Sequence, residues 1–215
     1  MKRLVRQIRS GYRSLKLEAQ DRGLVVYSGQ EPDTKQAVNI KVLPRLLGSD
    51  PQIAARFQDL AQGIRQLNHP NITSIHKVGE ESGLPYIVTK ALEKGHSLAA
   101  RLDQPWAVDA AADVVMQTGQ ALEHAYRKGV THGSLSPEKI VVQDDGRVQI
   151  NDFGVAELQR LVGAEASEAA SPYLAPEQTA GEAPDAQSDV YALGTVLYKL
   201  LAKRNPQVIQ GQVLP

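Results

Sequence analysis

Apolar residues come in short β-prone bursts through residues 1–92 and at helical spacing through much of residues 93–215. Leu24-Val25-Val26-Tyr27 and Ala37-Val38-Asn39-Ile40-Lys41-Val42-Leu43 flank the turn cluster Gln30-Glu31-Pro32-Asp33-Thr34, which predicts a hairpin. Ser49-Asp50-Pro51 is a helix start, with Asp50 as N-cap and Pro51 at the first helical position. The period then runs through Ile53, Phe57, Leu60, Ile64 and Leu67, and Asn68-His69-Pro70 ends it. Ile72 to Val78 and Tyr86-Ile87-Val88 predict two further strands around the turn Glu81-Ser82-Gly83-Leu84-Pro85.

The second part of the chain is mainly helical. Ala107 to Lys128 carries an amphipathic pattern through Ala111, Val114, Val115, Gly119, Leu122 and Ala125. Two strand-like pieces follow, Lys139-Ile140-Val141-Val142 and Arg147-Val148-Gln149-Ile150, joined at Asp144-Asp145-Gly146. Residues 157–182 read as loop-rich, and Asp189 to Leu201 as an apolar, buried helix. Strands with one helix, then mainly helices, imply an α+β protein of two lobes, residues 1–92 and 93–215.

Composition narrows the function without naming it. The 215 residues are 42% hydrophobic and 22% charged, as in a soluble globular protein. Lys+Arg and Asp+Glu balance at 24 each, so no net field draws in nucleic acid. The chain has no cysteine, which excludes thiolate metal sites and disulfides. No apolar run approaches the ~20 residues that span a bilayer. The start, Met1-Lys2-Arg3-Leu4-Val5-Arg6-Gln7-Ile8-Arg9, lacks the apolar region of a secretory signal. It suits peripheral contact with a membrane surface or partner, although a solvated terminal turn is the plainer expectation.

Val38-Asn39-Ile40-Lys41, His132-Gly133-Ser134-Leu135-Ser136-Pro137-Glu138-Lys139 and Asp152-Phe153-Gly154 follow one another along these elements, with further short motifs between and beyond them, and in order and spacing they resemble the eukaryotic-like (Hanks-type) Ser/Thr protein kinase family. Val38-Asn39-Ile40-Lys41 is similar to the strand presenting the phosphate-binding lysine, and Leu67-Asn68-His69-Pro70-Asn71-Ile72 to the segment after the first large helix. Pro85-Tyr86-Ile87-Val88-Thr89-Lys90 resembles the strand entering the hinge, with Thr89 as gatekeeper. His132-Gly133-Ser134-Leu135-Ser136-Pro137-Glu138-Lys139 takes the catalytic-loop slot, and Asp152-Phe153-Gly154 is the metal-binding tripeptide. Tyr173-Leu174-Ala175-Pro176-Glu177 and Ser188-Asp189-Val190-Tyr191-Ala192-Leu193-Gly194 match the end of the activation segment and the helix beyond it. The resemblance implies a bilobal kinase fold, a five-stranded sheet plus helix followed by a helical lobe. That second lobe is expected to be shortened, since only residues 202–215 follow Leu201.

The resemblance also exposes departures at the positions that carry phosphoryl transfer. The loop covering the phosphates needs glycines for close backbone approach, and its three positions hold Ala19, Asp21 and Leu24. The glutamate that would pair with Lys41 corresponds to Leu60, with Asp59 about 100° away around the helix. Asn39 stands where an alanine packs on adenine. In the catalytic loop the base aspartate is Ser134, and a hydroxyl with a pKa far above neutrality is no base. The preceding arginine is Gly133, the phosphate-steadying lysine is Ser136, and the asparagine holding the second magnesium is Lys139.

Catalytic residues are therefore expected to be absent, with Ser134, Ser136, Lys139 and Leu60 as degenerate positions. Residual nucleotide contacts fall to Lys41, Asp152, Val26, Thr89 and Lys90, and any residual metal contact to Asp152. A Lys41–Asp152 contact, joined by Lys139, is expected to occupy the altered site, the alternative being that Asp152 only caps its local loop. Ile64, Ile75, His132 and Phe153 fall where the family stacks a regulatory column standing on Asp189, although ordinary core packing is the plainer expectation for Ile64 and Ile75; His69, His76, His96 and His124 show no ligand spacing. Between Gly154 and Glu177 there is no threonine; the serines are Ser167 and Ser171, and Ala170 replaces the bracing threonine. These residues imply a cytoplasmic pseudokinase that binds protein partners, with no firmly held cofactor. Weak ATP/Mg binding, allosteric nucleotide binding and weak or atypical transfer are the alternatives.

Overall fold

The computed structural model describes residues 12–20, 24–44, 50–81, 83–91, 95–161, 171–209 and 212–214. The chain divides into two compact units. One holds the described residues of 1–68, 73–93 and 157–165, the other those of 69–72, 94–156 and 166–215.

The first unit is built on an antiparallel sheet of β1 (Arg13–Gln20), β2 (Val25–Gln30), β3 (Ala37–Val42), β4 (Ile75–Glu81) and β5 (Leu84–Lys90), in the order β1-β2-β3-β5-β4. The expected hairpin is β2–β3, in register from Val25 opposite Val42 to Gln30 opposite Ala37. Period-two alternation sends Val25, Tyr27, Val38, Ile40, Val42, Leu84, Tyr86 and Val88 to one face, where they form a core with Tyr12. β5 lies between β3 and β4 and is buried on both faces, which is why it reads as a continuous apolar run.

Helix α1 (Pro51–Arg65) packs on β4 and β5. It begins as its sequence requires. Asp50 Oδ1 accepts from the Gln52 and Ile53 N–H groups at 2.8 and 3.4 Å, and Pro51 occupies a position where a missing N–H costs nothing. Phe57, Ala61 and Ile64 form its buried stripe.

In the second unit, α2 (Val108–Tyr126) packs against α5 (Ala186–Ala202). Thr118 is buried in α2 although polar, because its hydroxyl donates to the Val114 carbonyl one turn back at 2.8 Å. A small antiparallel sheet joins β6 (His96–Ser97), β7 (Ile140–Val142) and β8 (Val148–Ile150). Helices α3 (Val155–Leu161) and α4 (Pro176–Thr179) and the antiparallel pair β9 (Gln207–Ile209) and β10 (Gln212–Leu214) complete the elements, with α3 belonging to the first unit from Glu157 on.

Several boundaries differ from the sequence expectations, each for a physical reason. The strand expected from Ile72 begins at Ile75, because residues 69–72 are taken into the second unit. There Ile72 bridges Ile150 in parallel, and Asn71 Nδ2 donates to Gln117 Oε1 at 2.9 Å and to the Val148 carbonyl at 2.7 Å. Lys139 ends a 3-10 turn (Pro137–Lys139) instead of starting β7, since Pro137 fixes a helical φ. The region from residue 157 contains the end of α3, too short to show a helical period. Residues 1–9, Asp21, Ser167 and Ala170, which carried expectations about membrane contact, the phosphate loop and loop regulation, lie outside the described residues.

Candidate functional site

In the first unit, β3 and its neighbours place the expected nucleotide contacts by register. Lys41 lies opposite Val26 on β2 and Ile87 on β5, and Asn39 lies opposite Ser28 and Thr89. Val26, Lys41, Asn39 and Thr89 therefore share the sheet face opposite the aromatic core. Lys41 is only 6% exposed. Lys90 pairs with Val38, which puts it on the other face, and it is exposed. On α1, Leu60 is half-buried and carries no charge, and Asp59 points to solvent.

The second unit holds the catalytic-loop positions, and its framework is anchored on Asp189 in the first turn of α5. Both carboxylate oxygens are used: Oδ2 accepts from the His132 N–H and Oδ1 from the Gly133 N–H, each at 2.8 Å. Burial pushes the Asp189 carboxyl up to about 6, against the pull of the Gly133 and His132 N–H groups. His132 is fully buried. Its Nε2 donates to the Asn151 carbonyl at 2.9 Å and its Nδ1 accepts from the Ser134 N–H at 3.4 Å, which selects the Nε2–H tautomer. The Phe153 ring packs 4.9 Å from it, centroid to centroid. His132, Phe153 and Asp189 are thus brought together as the sequence implies; Ile64 and Ile75 are buried in the first unit.

Gly133 has φ +75°, and a Cβ there would meet Pro184 Cγ at 3.0 Å and Ala156 Cβ at 3.1 Å. A glycine relieves a left-handed backbone that other residues adopt only at a cost. Asp152 is itself left-handed, at φ +69°, and its carbonyl accepts from the Val155 N–H.

Beside this framework sits the altered chemistry. Lys139 Nζ donates to Ser134 Oγ at 2.6 Å, and both residues are half-buried. The Lys139 backbone is fixed at both ends of its peptide groups: its N–H donates to the Ser136 carbonyl, and its carbonyl accepts from Asn151, next to Asp152. The family's two-magnesium arrangement needs hard oxygen donors at both the aspartate and asparagine positions. Only Asp152 supplies one, because position 139 presents an ammonium. A divalent ion held beside that ammonium would meet like-charge repulsion instead of an oxygen ligand. Among the described residues, no cluster of three or more His, Asp or Glu side chains is arranged for a metal. The donor set does not fit a second magnesium.

Sequence reasoning gave no role to Gln178, which holds the loop, or to Ser188, which ties α4 to α5. Gln178 Nε2 donates to the Gly133 carbonyl at 2.8 Å, while its Oε1 accepts from the Ala175 N–H at 3.1 Å. Its sequence signal is only its place after Pro176-Glu177. Ser188, 1% exposed, donates to Glu177 Oε1 at 2.6 Å, so Glu177 has a partner inside the described chain. Tyr173 is pushed up to about 12 by burial and by the nearby Glu138 carboxylate.

Comparison with known proteins agrees with this geometry. The protein kinase domain family matches residues 23–212. The chain is 34% identical over 194 residues to the probable serine/threonine-protein kinase SCO3848 of Streptomyces coelicolor, covering 85% of this chain and 29% of that protein. It is 35% identical over 180 residues to the serine/threonine-protein kinase PknB of Mycolicibacterium smegmatis, covering 79% and 29%. It therefore spans under a third of the length of these relatives. Among solved structures, the Mycobacterium tuberculosis PknI kinase domain superposes with a TM-score of 0.66 at 28% identity, covering 94% of this chain and 78% of that one. Among the described residues, no helix is long and apolar enough to cross a membrane. The chain belongs to the protein kinase domain family, with Hanks-type bacterial Ser/Thr kinases as its relatives.

Proposed function

We propose that this kinase domain does not transfer phosphate and works as a protein-binding, regulatory or scaffold module in the cytoplasm. The observation that carries the reading is the 2.6 Å bond from Lys139 Nζ to Ser134 Oγ. Transfer to a hydroxyl needs a group that accepts or orients the acceptor's proton. A serine oxygen that already accepts from an ammonium has no basicity near neutral pH for that task. Leu60 supports the same reading, since it puts an apolar side chain at the helix position where an active kinase carries the carboxylate that aligns this lysine. The balanced charge favours protein partners over nucleic acid.

Within the first unit, residual nucleotide contacts are assigned to Lys41, Val26, Thr89 and Lys90; Asp152 is assigned any residual nucleotide or metal contact of the second unit. A second reading, a weak or atypical Ser/Thr kinase, draws support from the serine/threonine kinases among its relatives. One assay separates the two. The chain is incubated with radiolabelled ATP, Mg²⁺ or Mn²⁺, and a general Ser/Thr substrate protein. The expected incorporation, into itself or the substrate, does not exceed that of an Asp152→Ala variant. Incorporation that is clear in the native chain and vanishes in both Lys41→Ala and Asp152→Ala would overturn the proposal.

A further inference from the structure

We propose that the Lys139 ammonium stands in for a divalent cation toward the phosphate tail of a nucleoside triphosphate, so that the chain binds such a nucleotide without Mg²⁺. The inference deepens the reading above, because it rests on the same assignment of Ser134 and Lys139 to the catalytic-loop positions. In a protein kinase, magnesium ions held by the tripeptide aspartate and the loop asparagine neutralise the phosphates. Here the second of these ligands is replaced by the charge that the ligand would have recruited.

The geometry makes this a fixed charge. Lys139 Nζ is steered by Ser134 Oγ at 2.6 Å. Its main chain is tied to Ser136 through its N–H and to Asn151 through its carbonyl, and Asn151 is fixed in turn by His132 Nε2 at 2.9 Å. Such an ammonium is a compact point charge with three donors, suited to phosphate oxygens. Ser134 contributes here as the group that holds the lysine, a role a hydroxyl fills and an aspartate would change by neutralising it. Magnesium brings a double charge into the same corner, where the ammonium repels it, so adding the metal gives the nucleotide no further anchor.

The test is calorimetric titration of the whole chain with ATP, in EDTA and in excess MgCl₂, checked by thermal shift. The dissociation constants in the two buffers are expected to agree within about threefold. Lys139→Asn is expected to weaken binding in EDTA by about tenfold or more and to recover it with Mg²⁺, whereas Lys139→Arg keeps metal-independent binding. Melting of each variant without nucleotide verifies that it is folded. The inference is overturned by a native affinity that rises about tenfold with Mg²⁺. It is also overturned by a Lys139→Asn variant that still binds in EDTA like the native chain, or by no binding of millimolar ATP in either buffer. These failures leave the absence of transfer standing, whereas phosphate incorporation in the assay above removes that reading and leaves the metal dependence to be read from the titration.

Discussion

Asp189 shows how one buried carboxylate is used against its own preference. Its two oxygens organise the His132 and Gly133 amides, yet burial raises its pKa to about 6, from an ordinary value near 3.8. With the folded value above the unfolded one, the native state holds the proton longer as pH rises. The group's contribution to stability is therefore greatest below about pH 4 and falls between about pH 4 and 6, by on the order of 3 kcal/mol. Asp189→Asn keeps a single acceptor oxygen and loses the titration. Denaturant melts across that range are expected to show a variant destabilised at every pH, with the native-minus-variant difference shrinking as pH rises. A constant difference would mean that the carboxyl titrates alike in both states. Gly133, next to it, marks a limit of sequence reading: the replaced arginine is visible in the motif, but the φ of +75° that suits glycine there is a property of the folded loop.

At the level of elements, legibility followed length and local signals. Helix α1 was readable because Asp50 and Pro51 carry their own capping chemistry and the apolar period runs for several turns. Helices α3 and α4 were not, since seven and four residues are too few for a period and depend on tertiary contacts. Ile72 looked like strand for the opposite reason: its β-prone neighbourhood was correct, but its partner is Ile150, far along the chain. The same dependence on distant partners hid the tie between α4 and α5. The buried Ser188 hydroxyl donates to Glu177 Oε1 at 2.6 Å and accepts from the Asp185 N–H at 3.2 Å. Ser188→Ala leaves the Glu177 carboxylate without that donor and is expected to cost about 1–3 kcal/mol in a urea melt. A variant as stable as the native chain would show that water replaces the hydroxyl at no cost.

Across the whole chain, the fold was legible because motifs in kinase order are spread over both units, and the matched residues 23–212 include all of them. The site was legible by residue type and opaque in geometry: Lys139 in an asparagine's place was plain, but its bond to Ser134 required the loop to be folded. The altered positions are also spread over both units, with Leu60 in one and Ser134 and Lys139 in the other. Groups that act together in catalysis are grossly non-additive, so restoring part of the set returns little of the rate. Ser134→Asp with Lys139→Asn restores the base and the second metal ligand, but Lys41 still has Leu60 where a carboxylate should align it. The double variant is expected to bind ATP in a Mg²⁺-dependent way while incorporating no more label than Asp152→Ala. Adding Leu60→Glu is expected to be the step at which incorporation first exceeds that background. Robust transfer by the double variant alone would mean that the catalytic loop was the whole of the defect, and that the sheet and α1 already hold a nucleotide in a competent pose.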